Sequence, residues 1–303
     1  MPVNNVNSIV KEASTAFAVN FDNGLNGKEQ DFLQVATKVQ SQSASTGYGF
    51  LQQVPKLEEW LAERMLKTLD EYDYEVKNKL FESSIVMKRA DFEDNDYGKY
   101  SPLFEDLGRA AAEHPNEHVF KLLANGLTGL CFDGQPFFSE EHVIDDVDLA
   151  LTASNYYTPA DPVNKTTQWY LLDTNRSIKP LIWQERIMPS INTLHDPNSE
   201  YVFMNDKYVY GVRARGNAGY GFWQLAAMSD MDLTPDNFNT VYEGMIALKG
   251  SNGDTPLRIT PKVLVVPPSL RQKAYEVIKR ERLASGESNI NFEIVDIMVC
   301  PYL

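Results

Sequence analysis

The sequence predicts an α+β fold, and three features of the chain carry this prediction. A long amphipathic helix is predicted over residues 101–126, and strand-rich sequence covers residues 165–228. After residue 230, helices alternate with short apolar strands, which is typical of a compact α/β lobe. The chain has no internal repeat and no Gly/Ser-rich linker that would divide it into independent domains.

The helix over residues 101–126 has well-marked ends. Ser101 can cap the first turn, Pro102 suits the first helical position, and Asn125-Gly126 ends the helix. Apolar residues recur every four residues or a multiple of four and predict one buried stripe of Leu103, Leu107, Ala111, Val119, Leu123 and Leu127. Pro115 lies inside this pattern, so we predict a kink or a break there.

The strand-rich stretch contains two segments of aromatic and β-branched residues, 169–186 and 208–228, which are typical of an antiparallel sheet. Further on, Thr234-Pro235 begins a predicted helix that Gly250 closes, and Ser269 is predicted to cap another. Two short apolar segments are predicted to be buried strands, and these are Val263–Val266 and Phe292–Val299.

The first 90 residues have a weaker pattern. Residues 1–50 hold one amphipathic stretch around Ile9–Val19 and are otherwise polar, so we predict a segment that another subunit holds in place. Residues 57–65 predict a short helix, and residues 62–90 predict a two-stranded ribbon that turns near Asn78-Lys79. Because such a ribbon is marginal alone, it should lie on a surface that need not belong to its own subunit.

Composition limits the classes of function. The net charge is −14, and residues 1–150 contribute almost all of it, with 26 acidic against 13 basic side chains. So acidic a chain is a poor candidate for tight nucleic-acid binding, which depends on Lys and Arg at the phosphates. The start is polar and no apolar run is long enough to span a bilayer, so secretion and membrane insertion are not expected. Cys131 and Cys300 are expected to be reduced, buried thiols outside any metal-type spacing.

One motif suggests enzymatic chemistry. His114, Glu117 and His118 match H-x-x-E-H, in which two histidines on one helical face bind zinc and the glutamate acts as a base. Pro115 disturbs the helical geometry that the motif requires, and His142 and His195, which could supply a third ligand, lie in loop-like sequence. We therefore predict solvated or interfacial side chains here, no catalytic residue, no metal ligand and no cofactor.

Other candidate sites are weaker still. Calcium-loop spacing is incomplete at 22–33 and at 94–96, and the acidic cluster of Asp145, Asp146 and Asp148 indicates an exposed loop. The glycines of 216–222 fit a turn or bulge in a strand and lack the strand–helix context of a dinucleotide site.

Six blocks of sequence, in order, resemble the Mu-like major head subunit (gpT) family of phage capsid proteins. They are YGFLQQVPKLEEW (48–60), RADFEDNDYGKYSPLFEDLGRAAAEHP (89–115), FDGQPFFSEEH (132–142), WYLLDTNRSIKPLIWQER (169–186), YGVRARGNAGYGFWQLA (210–226) and TPKVLVVPPSLRQKA (260–274). Residues 1–47 and 143–168 carry no clear resemblance.

The resemblance implies the Hong Kong 97-type capsid fold. Its parts would be an N-terminal arm (1–50), an extended E-loop region (51–90), a peripheral domain (91–229) with a spine helix at about 101–126 and a sheet at about 165–228, and an axial domain (230–303). In many such proteins the axial domain precedes the last peripheral strands. Here the strand blocks come first, so the order looks permuted.

The resemblance also implies a function and partners. Copies of the chain would assemble as pentamers and hexamers of an icosahedral shell around double-stranded phage DNA, which they would contact non-specifically. The implied partners are a separate scaffold and protease, a portal and decoration proteins; the implied location is the virion, after assembly in the host bacterial cytoplasm. Three alternatives stay open: an encapsulin-like nanocompartment shell, a zinc metallopeptidase using His114, Glu117 and His118, and a decoration or tail-related protein.

Overall fold

The computed structural model describes residues 3–27, 30–48, 74–144, 151–250, 256–282 and 286–303, with side chains from residue 8 onward. The helices are α1 (Val3–Asn26), α2 (Phe32–Val35), α3 (Arg89–Glu93), α4 (Ser101–Ala124), α5 (Glu200–Asn205), α6 (Pro235–Ile246) and α7 (Arg271–Ile278). The strands are β1 (Ala36–Gln40), β2 (Ser45–Gly47), β3 (Glu75–Lys77), β4 (Lys79–Lys88), β5 (His142–Val143), β6 (Thr152–Ala153), β7 (Tyr156–Tyr157), β8 (Trp169–Leu172), β9 (Leu181–Leu194), β10 (Lys207–Tyr220), β11 (Ala226–Ser229), β12 (Val263–Val266) and β13 (Asp296–Val299).

The first sheet has the strand order β1-β9-β10-β4. Strands β9 and β10 are antiparallel and 14 residues long, and α5 lies between them in the chain. The β9–β10 register shifts around Arg215 and Gly216, where the sequence predicted a glycine turn or bulge. A β-carbon at Gly216 would lie 2.6 Å from the carbonyl oxygen of Gln184, so the close approach of the two strands requires glycine.

For the residues that the structure describes, the predicted pairing of the two ribbon strands with each other is wrong. Strand β4 pairs along its length with β10 of the same chain, from Lys79↔Gly216 to Lys88↔Lys207, and β3 pairs with β2. Strand β4 is therefore an edge strand of the chain's own first sheet. The short helix predicted at 57–65 lies outside the described residues, as does the acidic cluster at 145–148.

Helix α4 confirms the predicted long helix and part of its buried stripe. Val119 and Leu123 are buried as predicted, but Leu103 is 48% exposed; the buried residues are Phe104, Gly108, Ala112, Pro115, Asn116, Val119, Phe120 and Leu123. In the first half of the helix the buried stripe is displaced by about one residue, because α1 covers one side of α4 and the first sheet covers another. Helix α4 continues through Pro115 without a break, and Ser101 makes no capping hydrogen bond because the N-cap residue is Tyr100.

The N-terminal segment corrects a further expectation. Helix α1 runs for 24 residues and packs on α4, with Val10, Ala13, Phe17 and Phe21 buried. The spacing of three to four residues between these side chains makes an apolar stripe on one helical face. The segment from Val10 to Phe21 is therefore packed on its own chain, which the sequence interpretation did not predict.

The second sheet has the order β13-β12-β8-β11-β7. Strands β8 and β11 belong to it, so the single sheet predicted over 165–228 is divided between two sheets. Strand β12 is fully buried, as predicted. The C-terminal strand is shorter than predicted, Asp296–Val299, and only half-buried because it is the edge strand.

The helices beside this sheet are also largely as predicted. Helix α6 begins after Thr234, whose hydroxyl oxygen accepts a hydrogen bond from the backbone N–H of Asn237 at 3.2 Å. It ends at Ile246 rather than at Gly250. Ser269 does not cap α7, because a short 3₁₀ turn over Pro268–Leu270 precedes that helix.

Candidate functional site

The two histidines of the H-x-x-E-H motif lie one turn apart on α4, with ring centroids 4.3 Å apart. Phe81 of β4 packs against both rings, at 4.1 Å from His114 and 4.9 Å from His118. Trp183 of β9 lies farther away, with its ring centroid 6.0 Å from that of His114 and 6.3 Å from that of His118. The two imidazoles therefore belong to an aromatic cluster between α4 and the first sheet.

The electrostatics of this cluster favour neutral histidines. Burial and, to a lesser extent, the neighbouring His118 lower the pKa of His114 to about 4. Burial also lowers the pKa of His118. Glu117 turns away to accept a hydrogen bond from Lys121 Nζ at 2.5 Å, which lowers the pKa of its carboxyl group. Glu117 is thus paired to a lysine, while the two imidazoles pack on the side of α4 that faces the first sheet.

A cleft borders the aromatic cluster, between the end of α1, α4 and the first sheet. His114, Trp183, Phe32 and Met188 are among its lining residues. The charged residues that line the cleft are Lys38 and Glu185, which form an ion pair at 3.0 Å, and Arg215. The cleft is therefore lined by both apolar and charged side chains.

A second cluster, missed by the sequence interpretation, lies just after α4. The Cys131 thiol donates to Asp133 Oδ1 at 2.9 Å, and His142 Nδ1 lies 2.6 Å from Asp133 Oδ2. The ring of His142 is fully buried and stacks on Trp223 at a centroid distance of 4.0 Å. Within the described part of the chain, Cys131, Asp133 and His142 are the residues whose side-chain donors are grouped closely enough to hold a metal ion.

The loop geometry brings this second cluster together. Residues Leu130 and Pro136 form an isolated bridge, and Cys131 exchanges backbone hydrogen bonds with the turn that follows it. Gly134 turns the chain with a φ of +78°, a conformation that glycine adopts readily. Burial, together with the charge of Asp133, raises the pKa of the Cys131 thiol. Although burial opposes ionisation of Asp133, its hydrogen bond with His142 holds the pKa of this carboxyl group below its ordinary value.

Apart from Cys131, the remaining sequence candidates lie outside both clusters. Asp22 lies within α1 and Asp94 directly follows α3, so neither begins a calcium loop of the expected form. Cys131 and Cys300 are both buried free thiols, as predicted. Among the helices that the structure describes, none combines the length and the apolar character needed to cross a bilayer.

Exposed apolar side chains are concentrated at α5, the helix that connects β9 to β10. Phe203 is 79% exposed and Met204 73%, while Val202 of the same helix is buried. Ser199 caps α5 through its hydroxyl oxygen. A well-formed helix that exposes two large apolar side chains is typical of a surface that associates with another protein.

Comparisons with known proteins agree over the full length of the chain. The "Mu-like prophage FluMu major head subunit" of Haemophilus influenzae is 41% identical over 276 residues, which is 90% of this chain and 89% of that protein. The "Major capsid protein" of Escherichia phage Mu is 35% identical over 299 residues, covering 97% and 98% of the two chains.

Solved structures give the same result. A chain of the bacteriophage JBD30 procapsid superposes with a TM-score of 0.86 at 46% identity, covering 98% of this chain and 99% of that one. A chain of the JBD30 capsid superposes with a TM-score of 0.78 at 32% identity, covering 91% of each. The resemblance found in the six sequence blocks is thereby confirmed, as is the α+β capsid fold. The family model for the Mu-like prophage major head subunit gpT matches residues 10–303, and the chain belongs to this family of phage major capsid proteins.

Proposed function

We propose that this chain assembles as pentamers and hexamers of an icosahedral shell that encloses double-stranded phage DNA. The observation that carries the proposal is the full-length likeness to a procapsid chain, which covers 98% of this protein. A closed shell repeats each subunit contact by symmetry, so contacts that are individually weak suffice. The proposed role is structural, with no catalytic residue, and the aromatic cluster of His114 and His118 serves packing.

The two sheets suggest that the subunit has two domains with different positions in the shell. We assign α4 and the sheet β1-β9-β10-β4 to the peripheral domain. The sheet β13-β12-β8-β11-β7, with α6 and α7, forms the axial domain at the capsomer centre. This assignment moves 169–172 and 226–229 from the predicted peripheral domain to the axial domain, because their strands pair with β12 and with each other.

The negative charge of the chain favours weak contact between the shell and the packaged DNA. The chain carries a net charge of −14, so its contact with packaged DNA should be non-specific and weak. Scaffold, protease and portal proteins are proposed as separate chains that act with it in the host bacterial cytoplasm. The related JBD30 capsid has been solved "decorated with minor capsid protein trimers", and we propose a similar decoration partner here.

The experiment is expression of the full chain followed by electron microscopy and analysis of the contents. We expect closed shells or capsomer rings, with DNA or scaffold inside when particles are purified from phage-producing cells. Assembly should weaken at high salt, because exposed ion pairs between subunits are screened. Dispersed monomers under all conditions would contradict the proposal. Shells that enclose a cargo enzyme would instead support the nanocompartment alternative, and a low copy number in the particle would support the decoration or tail-related alternative.

A further inference from the structure

The hydrogen bonds of Asn155 determine which ring nitrogen of His142 carries a proton. Asn155 Nδ2 shares its two hydrogens among three buried carbonyl oxygens, those of Phe137 at 2.8 Å, Ala226 at 3.1 Å and Trp223 at 3.2 Å. Its Oδ1 is therefore an acceptor, which receives the backbone N–H of Ser139 at 2.9 Å. His142 Nε2 lies 3.2 Å from the same oxygen and must donate to it, so Nε2 bears a hydrogen.

This arrangement leaves Nδ1 of His142 directed at a carboxylate. With a hydrogen on Nε2, the hydrogen bond between Nδ1 and Asp133 Oδ2 at 2.6 Å needs a second hydrogen on the ring. Without it two acceptors would face each other, so a proton or another cation lies between Nδ1 and Oδ2. The Cys131 thiol, which donates to the other oxygen of Asp133 at 2.9 Å, adds a third potential ligand atom to the same buried place.

We propose that Cys131, Asp133 and His142 bind a divalent transition-metal ion, with zinc the best match to their chemistry. Thiolate, imidazole and carboxylate are the side chains that bind zinc in proteins. Asn155 supplies the outer hydrogen bond that a metal-bound histidine typically makes through its other ring nitrogen. A tetrahedral zinc site separates its ligand atoms by about 3.3–3.7 Å, so the pairs at 2.6 and 2.9 Å need to open by about 1 Å or less, a distance that side-chain rotation allows.

Metal binding would replace the proton between His142 Nδ1 and Asp133 Oδ2 with a metal ion. The ion takes its place between the three donors, the thiol proton of Cys131 and the proton between His142 Nδ1 and Asp133 both leave to solvent, and sulfur binds as thiolate. The ligands come from the loop after α4 and from β5, while Asn155 bonds the carbonyl groups of Trp223 and Ala226 at the start of β11. The bound metal would therefore fasten the end of the long helix to the second sheet, which is the junction between the two proposed domains.

The test begins with the full chain expressed in zinc-supplemented medium, dialysed against metal-free buffer and examined by elemental analysis. We expect about one zinc per chain, as for a single structural site. Replacing zinc with Co²⁺ should give the charge-transfer band of a thiolate–cobalt bond. Removal of zinc by a chelator should lower the unfolding temperature, and added zinc should restore it.

Matched variants identify the ligands. Cys131→Ser should lose the thiolate–cobalt band, and His142→Gln should lose most of the zinc. Cys300→Ser, which changes the other buried thiol, should keep both, and so should the double variant His114→Gln/His118→Gln. Retention of the band in Cys131→Ser would overturn the assignment. If the ligand variants do not fold, the zinc content and the cobalt spectrum of the unaltered chain still test the proposal. No stoichiometric zinc and no thiolate band on adding Co²⁺ would mean that a proton alone occupies the gap, and the proposal would be wrong.

Discussion

Gly24 of α1 and Gly108 of α4 form a reciprocal backbone contact where the two helices cross. A β-carbon at Gly24 would clash with the carbonyl oxygen of Glu105, and one at Gly108 would clash with the carbonyl oxygen of Phe21. A β-carbon at Gly108 would also lie 2.9 Å from the backbone nitrogen of Leu25. Since every nearby atom is backbone, neither helix can accommodate a side chain here without moving away from the other.

The first prediction follows from this contact. Gly108→Ala should lower the free energy of unfolding of the unassembled subunit by about 1–3 kcal/mol, because it separates the two helices. The control is Gly98→Ala, since no atom lies within 4 Å of a β-carbon there. Chemical denaturation measures both. Alanine is the better helix former by about 1 kcal/mol, so a stabilised Gly108→Ala variant would show that the helices are not in close contact.

The same contact explains why the N-terminal helix was only partly predictable. The spacing of Val10, Ala13, Phe17 and Phe21 is that of an amphipathic helix, and the sequence did indicate a short helical stretch there. What it could not indicate was the partner surface. Gly108 is a poor helix former that contributes no apolar side chain. An interpretation of α4 based on its leucines therefore misses the face that α1 covers.

The second prediction concerns the aromatic contact on the same helix. Phe17 is 1% exposed, stacks on Phe104 at a centroid distance of 4.3 Å and meets Tyr210 edge-on at 5.6 Å. Phe17→Ala should therefore lower the free energy of unfolding by about 3–5 kcal/mol. Val19→Ala is the matched control, because Val19 lies on the same helix but is 53% exposed, and it should change stability by less than about 0.5 kcal/mol. Equal effects of the two variants would contradict the packing of α1 on α4.

The third prediction is a loss of stability in mild acid that depends on His114. The pKa of His114 falls from 6.5 to about 4 on folding because burial penalises the charged ring. Folding therefore favours neutral His114, and this contribution is complete above pH 6.5 and is lost as the pH falls towards 4. We expect a decrease of roughly 1–2 kcal/mol over this range, with allowance for partial exposure of the ring.

The measurement for His114 is chemical denaturation at several pH values between about 7.5 and 4.5, for the unaltered chain and for His114→Gln. The slope of stability against pH is compared, so a constant difference in stability between the two proteins does not matter. His114→Gln should have the flatter profile. Identical slopes would show that the ring is as well solvated in the folded chain as in the unfolded one.

The two histidine clusters show what a sequence motif can and cannot indicate. His114 and His118 share a helix, so their spacing could be interpreted directly, but the disturbance predicted at Pro115 was wrong, because α4 continues through that residue. His142 meets Cys131 and Asp133 only because the loop after α4 folds back on itself, and its tautomer is fixed by Asn155, 13 residues further on. Contacts made through loop geometry and a distant amide leave no fixed spacing in the sequence, so this cluster required coordinates.

The last prediction replaces the expectation that a neighbouring subunit holds the segment before α3. Strand β4 pairs with β10 from Lys79↔Gly216 to Lys88↔Lys207, so its hydrogen bonds are made within one chain. In unassembled subunits, the β4 amides that bond to β10 should therefore exchange slowly with solvent, and assembly should add little to their protection. The alternate amides, which face the free edge, should exchange faster until a neighbour covers them. Hydrogen-exchange mass spectrometry of free and assembled protein distinguishes the possibilities. Rapid exchange across all of β4 in the free subunit, followed by strong protection in the shell, would show that this strand depends on its neighbours after all.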